Sequence, residues 1–338
     1  MKLGERKETI LKIIANEYID GAISIASRDI AYNYNLKVSP ATVRNDVAYL
    51  EDQGYVMHPH PSAGTIPTDK AYRYYVEMIS RDVELPQSEQ YMIYELLREA
   101  REEIEQWLKL AAVLLAHFVH NLAVITLPKA PQCRFKHLDL VALQDFIALL
   151  ILVLYEARVR QKILSSSERI TQDDLTMLAS KLNSVYAGMT SSEISAKKTE
   201  LPPEERQVVA CVVDMMATED KLEHGKPFLE GLHLMLSQPE FAKNPRMASS
   251  LELLEEGNWL GNIPRSELDK GELKIIIGKE NPNAALQDLS LIIGEYGIPD
   301  KARGIVGVVG PKRMDYARVI SSVNYLSSLL TESVAEYI

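Results

Sequence analysis

At 338 residues the chain is about twice the usual length of one domain, so two or three cores are expected. Its 46% apolar and 25% charged residues exclude a disordered or fibrous chain, and its formal charge of -10 excludes nonspecific coating of nucleic acid, which needs many basic contacts to phosphate. The longest apolar run, Phe146 to Tyr155, is about half of what a bilayer-crossing helix needs, the N-terminus lacks the apolar stretch of a secretory signal, and Cys133 and Cys211 share no disulfide or zinc spacing; a cytoplasmic protein with no membrane contact and no cofactor is expected.

Ile10, Ile13, Ile14 and Tyr18 recur at helical spacing over Glu5 to Tyr18. A second helix, capped by Ser24 or Ser27, turns Ile30 and Ala31 inward and closes at Tyr34-Asn35. Ser39 caps a third, with Pro40 at the first helical position, where its missing amide hydrogen costs nothing. Val43, Val47 and Leu50 fall in one narrow arc and pack inward, which leaves Ala41, Thr42, Arg44, Asn45, Ala48 and Tyr49 facing out. Tyr55 to His58 reads as a short strand, Pro59 to Pro67 as a loop around Gly64 with a returning strand, and Thr68-Asp69 as the cap of a helix through Tyr75. Two helices joined by a turn, a third with a polar outer face and a hairpin wing make the winged helix-turn-helix pattern.

That pattern gives the outward residues a chemistry. Arg44 can pair with guanine or phosphate, Asn45 with adenine, and Ala41 or Thr42 can rest on a thymine methyl. Candidate DNA contacts are therefore Ser39, Ala41, Thr42, Arg44, Asn45 and Tyr49 on the helix, with His60, Ser62, Gly64, Thr65, Lys70 and Arg73 on and after the wing. The bland alternative is a surface helix whose Arg44 and Asn45 are merely solvated. Met1 to Val76 carries as many acids as bases, so the assignment requires acids such as Glu5, Glu17 and Glu51 to face away from the groove.

Leu85-Pro86 marks a boundary, after which Gln87 to about Phe118 reads as one long amphipathic helix. Strand character follows at Leu122 to Leu127, Leu138 to Leu143, Phe146 to Tyr155 and Val159 to Leu164, with short turns that imply antiparallel neighbours. The run Phe146 to Tyr155 has almost no polar side chain and reads as a filled core strand. Thr171 to Ala187, Pro203 to Ala217, Gly231 to Leu236 and Met247 to Glu256 are helical in pattern; Leu273 to Ile277, Leu289 to Tyr296 and Arg303 to Val309 return to strand, and Met314 to Tyr337 closes as a helix. A sheet interrupted by a helical insertion and then completed is the simplest reading: an α+β multidomain chain with parts 1–76, 77–169, 170–261 and 262–338. Dimerisation is placed in the insertion, where Val208, Val209, Val212, Val213, Met215 and Met216 form a dense apolar run, the alternative being that they fill their own subunit's core.

His58 with His60, and His117 with His120, lack a carboxylate or cysteine at metal-ligand spacing. Gly304, Gly307 and Gly310 lie in a strand and its exit turn, not between a strand and a helix N-terminus where a phosphate would sit. No nucleophile with a base and no paired carboxylates stand out, so catalysis, like a metal, has no support.

The run Ser39-Pro40-Ala41-Thr42-Val43-Arg44-Asn45-Asp46, with Leu50-Glu51 and Gly54-Tyr55, resembles the recognition helix of the heat-inducible transcription repressor HrcA family. The wing resembles it too, in Pro59 to Lys70 and Tyr72-Arg73-Tyr74-Tyr75, as do Tyr296-Gly297-Ile298, Gly307 to Pro311 and Arg313 to Ile320 near the other end. The resemblance implies a repressor of chaperone genes that binds an inverted-repeat operator as a homodimer, with the chaperonin assisting its active state. It also implies a GAF-like sheet domain with a dimerising domain inserted in it. Thr65 and Ala71 stand where the family usually has an arginine and a glycine, which puts a cationic wing contact with phosphate in doubt. The competing class is a small-molecule sensor or enzyme that merely carries a regulatory winged helix, with its ligand in the sheet domain.

Overall fold

The computed structural model describes residues 3–60, 63–79, 83–99, 103–130, 132–155, 159–166, 168–197, 202–221, 227–241, 250, 252–254, 259–260, 273–298 and 301–337. They divide into two compact units, residues 1–127, 226–297 and 304–338 in one, and 128–225 with 298–303 in the other.

In the first unit the helical spacing read at the N-terminus becomes α1 (Glu5–Gly21), α2 (Ser27–Asn33) and α3 (Pro40–Asp52). Ile10, Leu11, Ile14, Ile30, Val43, Val47 and Leu50 form their common core. Ser27 is the first residue of α2, and neither it nor Ser24 caps that helix with its side chain. The wing is β1 (Val56–Met57) paired antiparallel with β2 (Ile66–Pro67), extended by a bridge from Ile25 to Thr65. Gly64 precedes that bridge; a Cβ there would lie 2.8 Å from the backbone of Ser24 and Ile25, so only glycine lets the strands approach. Thr68 caps α4 (Asp69–Met78) through the Ala71 amide.

The expected long helix is two helices, α5 (Gln87–Glu99) and α6 (Ile104–Val119). They fold against each other: Trp107 donates its indole hydrogen to the Leu97 carbonyl at 3.0 Å, and Ile93, Leu97, Trp107 and Leu108 share one core. An apolar stripe runs at the same period whether a helix continues or doubles back, and the charged run Glu99 to Glu103 contains neither glycine nor proline to mark the break.

Five strands make one sheet, in the order β7 (Pro227–Glu230), β3 (Leu122–Thr126), β10 (Ala302–Pro311), β9 (Leu289–Ile298) and β8 (Lys274–Ile277). Ala123 and Ile125 of β3 face α6 and the closing helix, here called α11 (Tyr316–Tyr337), while Leu122 and Val124 face Met235 and Trp259. Both faces are covered, which is why β10 reads as a continuous apolar run. The short edge strand β7 escapes the sequence reading because a leading proline argues against a strand except at an edge. The helix expected over Met247 to Glu256 lies largely outside the described residues, and Gly231 to Leu236 holds the short α10 (Leu232–Leu236).

In the second unit β4 (Phe135–Gln144), β5 (Ile147–Leu154) and β6 (Val159–Ser165) form a separate antiparallel sheet, with α7 (Gln172–Tyr186), α8 (Ser191–Ala196) and α9 (Pro203–Lys221). Phe135, Leu138, Leu150 and Leu152 of the sheet pack with Leu175, Leu182, Val212 and Met216 of the helices. The three strands thus stand where expected but belong with the helices that follow, not with the larger sheet, and their unit begins at Pro128, well before Ile170. Period-two patterning identifies a strand but not its partners. β5 is buried on one face only, so it is not the doubly covered strand its composition suggests.

Among the described residues, no helix is long and apolar enough to cross a membrane, and no three His, Cys, Asp or Glu side chains are grouped so as to hold a metal ion.

Candidate nucleic-acid interface

Ser39 fixes the start of α3: its hydroxyl accepts the Thr42 amide at 3.2 Å and lies 2.9 Å from the Thr42 hydroxyl. With Val43, Val47 and Leu50 held in the core, Ala41, Arg44, Asn45 and Tyr49 are exposed and Thr42 is half-exposed. Arg44 and Asn45 take no described hydrogen bond or ion pair within the chain, so their donors are free for bases or phosphate. The Lys7 ammonium sits 4.6 Å from the centre of the Tyr49 ring, which brings a second cation to the same helix face.

Asp46 occupies the inward face of α3 at 4% exposure. Arg6 of α1 donates to it at 2.6 Å and 3.2 Å, and Lys7 lies 3.6 Å away. The hydrogen bond from Arg6 is the main reason its carboxyl is held below the usual carboxylate value, against the opposing effect of burial; the charges of Arg6 and Lys7 add to it. The motif therefore contains one acid that faces away from the exposed side of α3 and ties that helix to α1. Arg6 and Lys7 were not foreseen in this role; the signal was an aspartate one turn from Val43 and Leu50 on a face that should be apolar. The contribution of a carboxyl with a lowered folded value is complete above its unfolded value, about 3.9, and is lost as pH falls through the folded one. Asp46→Asn should accordingly destabilise the winged helix by about 1 kcal/mol at neutral pH, with the difference in melting temperature shrinking towards pH 2. A difference that stays constant across that range would show that the ion pair contributes nothing.

Two further acids of the winged helix are paired within it. Glu51 lies 2.8 Å from Nδ1 of His58, and Glu17 accepts from the Tyr34 hydroxyl. His58 reaches Thr65 with its other ring nitrogen, at 3.3 Å, so it ties the end of α3 to the wing.

Several expected contacts are placed elsewhere. Thr65 is 1% exposed and its backbone pairs with Ile25, so its side chain supports the wing from within instead of reaching outward. Lys70 donates to the Gln53 carbonyl at 2.8 Å and lies over the Tyr55 ring, where it caps the end of α3. Arg73 faces the five-stranded sheet: it donates to Glu280 at 2.8 Å and to the Ile275 carbonyl at 2.7 Å. His60 is exposed at the wing turn, Gly64 serves the close backbone approach, and Ser62 lies outside the described residues.

Of the apolar run on α9, Val208, Val212 and Met216 are buried in their own unit's core, and Val209, Val213 and Met215 are partly buried against it. The open apolar surface of that unit lies on the other side of its sheet. Register sets Val141, Leu149 and Ile163 abreast across β4, β5 and β6, with Val153 beside Val159. Leu143, Val159 and Ile163 are 51%, 54% and 64% exposed.

Residues 2–79 match the family model for the winged helix-turn-helix transcription repressor, HrcA DNA-binding, and residues 105–320 that for the HrcA protein C terminal domain. Relatives named heat-inducible transcription repressor HrcA include one from Dehalococcoides mccartyi, 42% identical over 99% of this chain and 96% of its own. Another, from Chloroflexus aggregans, is 37% identical over 99% of this chain and 93% of its own. A solved structure of a hypothetical protein superposes over 100% of both chains with a TM-score of 0.62 at 22% identity, a likeness of fold.

Proposed function

The chain belongs to the HrcA family of winged-helix transcription repressors, and from that membership we propose that it represses chaperone genes by binding an inverted-repeat operator as a cytoplasmic homodimer. It is a repressor and not an enzyme. The observation that carries the reading is the outer face of α3, where Arg44 and Asn45 are exposed and uncommitted beside a wing braced by His58 and Thr65. Arg44, Asn45, Ala41 and Thr42 enter the major groove, Ser39 and Tyr49 flank them, and His60 approaches the backbone from the wing. The five-stranded sheet with α5, α6 and α11 is read as the GAF-like domain. The unit of β4 to β6 and α7 to α9 is read as the inserted dimerisation domain, beginning near Pro128.

Dimerisation is assigned to the open face of β4 to β6, where Leu143, Val159 and Ile163 are more than half exposed, whereas Val208, Val212 and Met216 of α9 are buried inside the subunit and Val209, Val213 and Met215 partly so. A twofold axis through such a face would bury it against its own copy.

Two recognition helices that meet half-sites at fixed spacing fail together when either their docking or the dimer loosens. Heat therefore switches repression off before the chain unfolds, and the chaperonin restores the competent form. Footprinting of the purified protein on promoter DNA of its own chaperone genes tests the assignment; protection of an inverted repeat is expected, lost on warming below the main melting transition and recovered with chaperonin and ATP. Absence of any protected repeat would overturn the repressor reading, and binding that persists to the melting transition would overturn the heat switch.

A further inference from the structure

Asp69 and Arg73 lie one turn apart on α4, and both leave the winged helix for the same short turn of the sheet domain. Asp69 accepts the Lys279 amide at 3.0 Å and pairs with Lys312 at 2.9 Å. Arg73 holds Glu280 and the Ile275 carbonyl. Between them is Gly278, whose φ of 53° is left-handed and whose Cβ, if it had one, would fall on the Asp69 carboxylate. The packing below is continuous: Ile19, Tyr72 and Val76 belong to the core of α6 and α11, and the rings of Tyr72 and Tyr316 are 5.8 Å apart. Arg313 closes the other side, donating to the Ile19 carbonyl near the end of α1 at 2.8 Å. The contacts run through α1 and α4, whereas Arg44 and Asn45 on α3 take no part in them.

We infer that Asp69 and Arg73 are positioning residues, which clamp the winged helix to the Gly278–Glu280 turn and to Lys312 and thereby set the distance between the two recognition helices of the dimer. The inference rests on the operator-binding reading above. A charged pair within a surface junction contributes little to overall stability, but a two-site complex depends on how narrowly the second site is held near its target. A head released from the clamp keeps its own affinity and loses effective concentration at the second half-site. The contact is also directional: its cations and carboxylates alternate between the two sides, so the head can dock in one orientation only.

The test uses the full-length protein and a duplex that the wild type selects from a random-sequence pool. Arg73→Glu should lower affinity for the inverted repeat about 10–100-fold, leave affinity for a single half-site within about twofold, and flatten the dependence on spacing when base pairs are inserted between half-sites. Gly278→Ala, which disturbs the clamp from the opposite side, should do the same, and Arg73→Glu with Glu280→Arg should recover most of the loss. Variants that bind the inverted repeat as tightly as the wild type, or that lose half-site and full-site binding equally, would overturn the clamp. Failure of the wild type to select any duplex would instead overturn the operator-binding reading.

Discussion

Replacing Arg44 and Asn45 together by alanine should abolish discrimination of the operator from random DNA while leaving the fold intact. Each bidentate side chain–base pair contributes about 1–3 kcal/mol of discrimination, and a dimer presents the pair twice, so a loss of at least about 100-fold in operator affinity is expected. Stability should shift by no more than about 0.5 kcal/mol, as for surface substitutions in general, because both side chains are exposed and uncommitted. The single variants separate two kinds of contact. Loss at one operator position with Arg44→Ala marks a base contact, whereas equal weakening on every sequence marks a phosphate contact and should lower the salt dependence as well. Circular dichroism and melting run beside the binding titrations would guard against unfolding. Undiminished operator affinity in the double variant would remove α3 from the interface.

The recognition helix was legible because its signals are local: a capping serine, a proline at the first helical position and three apolar residues on one arc. The same holds for β3, β5, β8, β9 and β10, each marked by a short apolar run, while β4 and β6 mix polar with apolar residues and are marked by the short turns that bound them. What local patterns do not carry is the identity of distant partners. Arg73 follows the wing in sequence and looks like a phosphate contact, yet Glu280, which it binds, is 207 residues away. Thr65 looks like a polar loop residue, yet its bridge to Ile25 draws it inside. Both placements have one origin. A polar side chain beside a DNA-facing loop can serve the loop, the neighbouring domain or the ligand, and only the packing of the whole unit decides among them. The strands of the smaller sheet show the matching limit for apolar residues, since their alternation fixes which side chains share a face but not what covers it.

Which element would join the subunits of the proposed homodimer is decided by the second strong prediction, that Leu149→Asp with Ile163→Asp yields a folded monomer. Cross-strand neighbours share a face of a sheet, and the register of β5 with β6 makes Leu149 and Ile163 direct neighbours. Val141 stands on the far side of Leu149, so the two substitutions place carboxylates at the centre of the apolar strip. In the free subunit Ile163 is exposed and Leu149 partly so, and the two carboxylates keep contact with water. In a dimer they would be desolvated without a cation, a penalty of several kcal/mol per buried ion, and the association should fail. Sedimentation should then give the mass of one chain, half-site binding should persist because α3 is untouched, and affinity for the inverted repeat should fall by about 10²–10⁴-fold as the two half-sites come to be bound independently. Val209→Asp on α9 is the comparison, since Val209, Val213 and Met215 are only partly buried and form the other apolar surface of this unit. A sheet variant that remains dimeric beside an α9 variant that dissociates would move the interface to α9; a dimer that survives both would place it outside the inserted unit altogether.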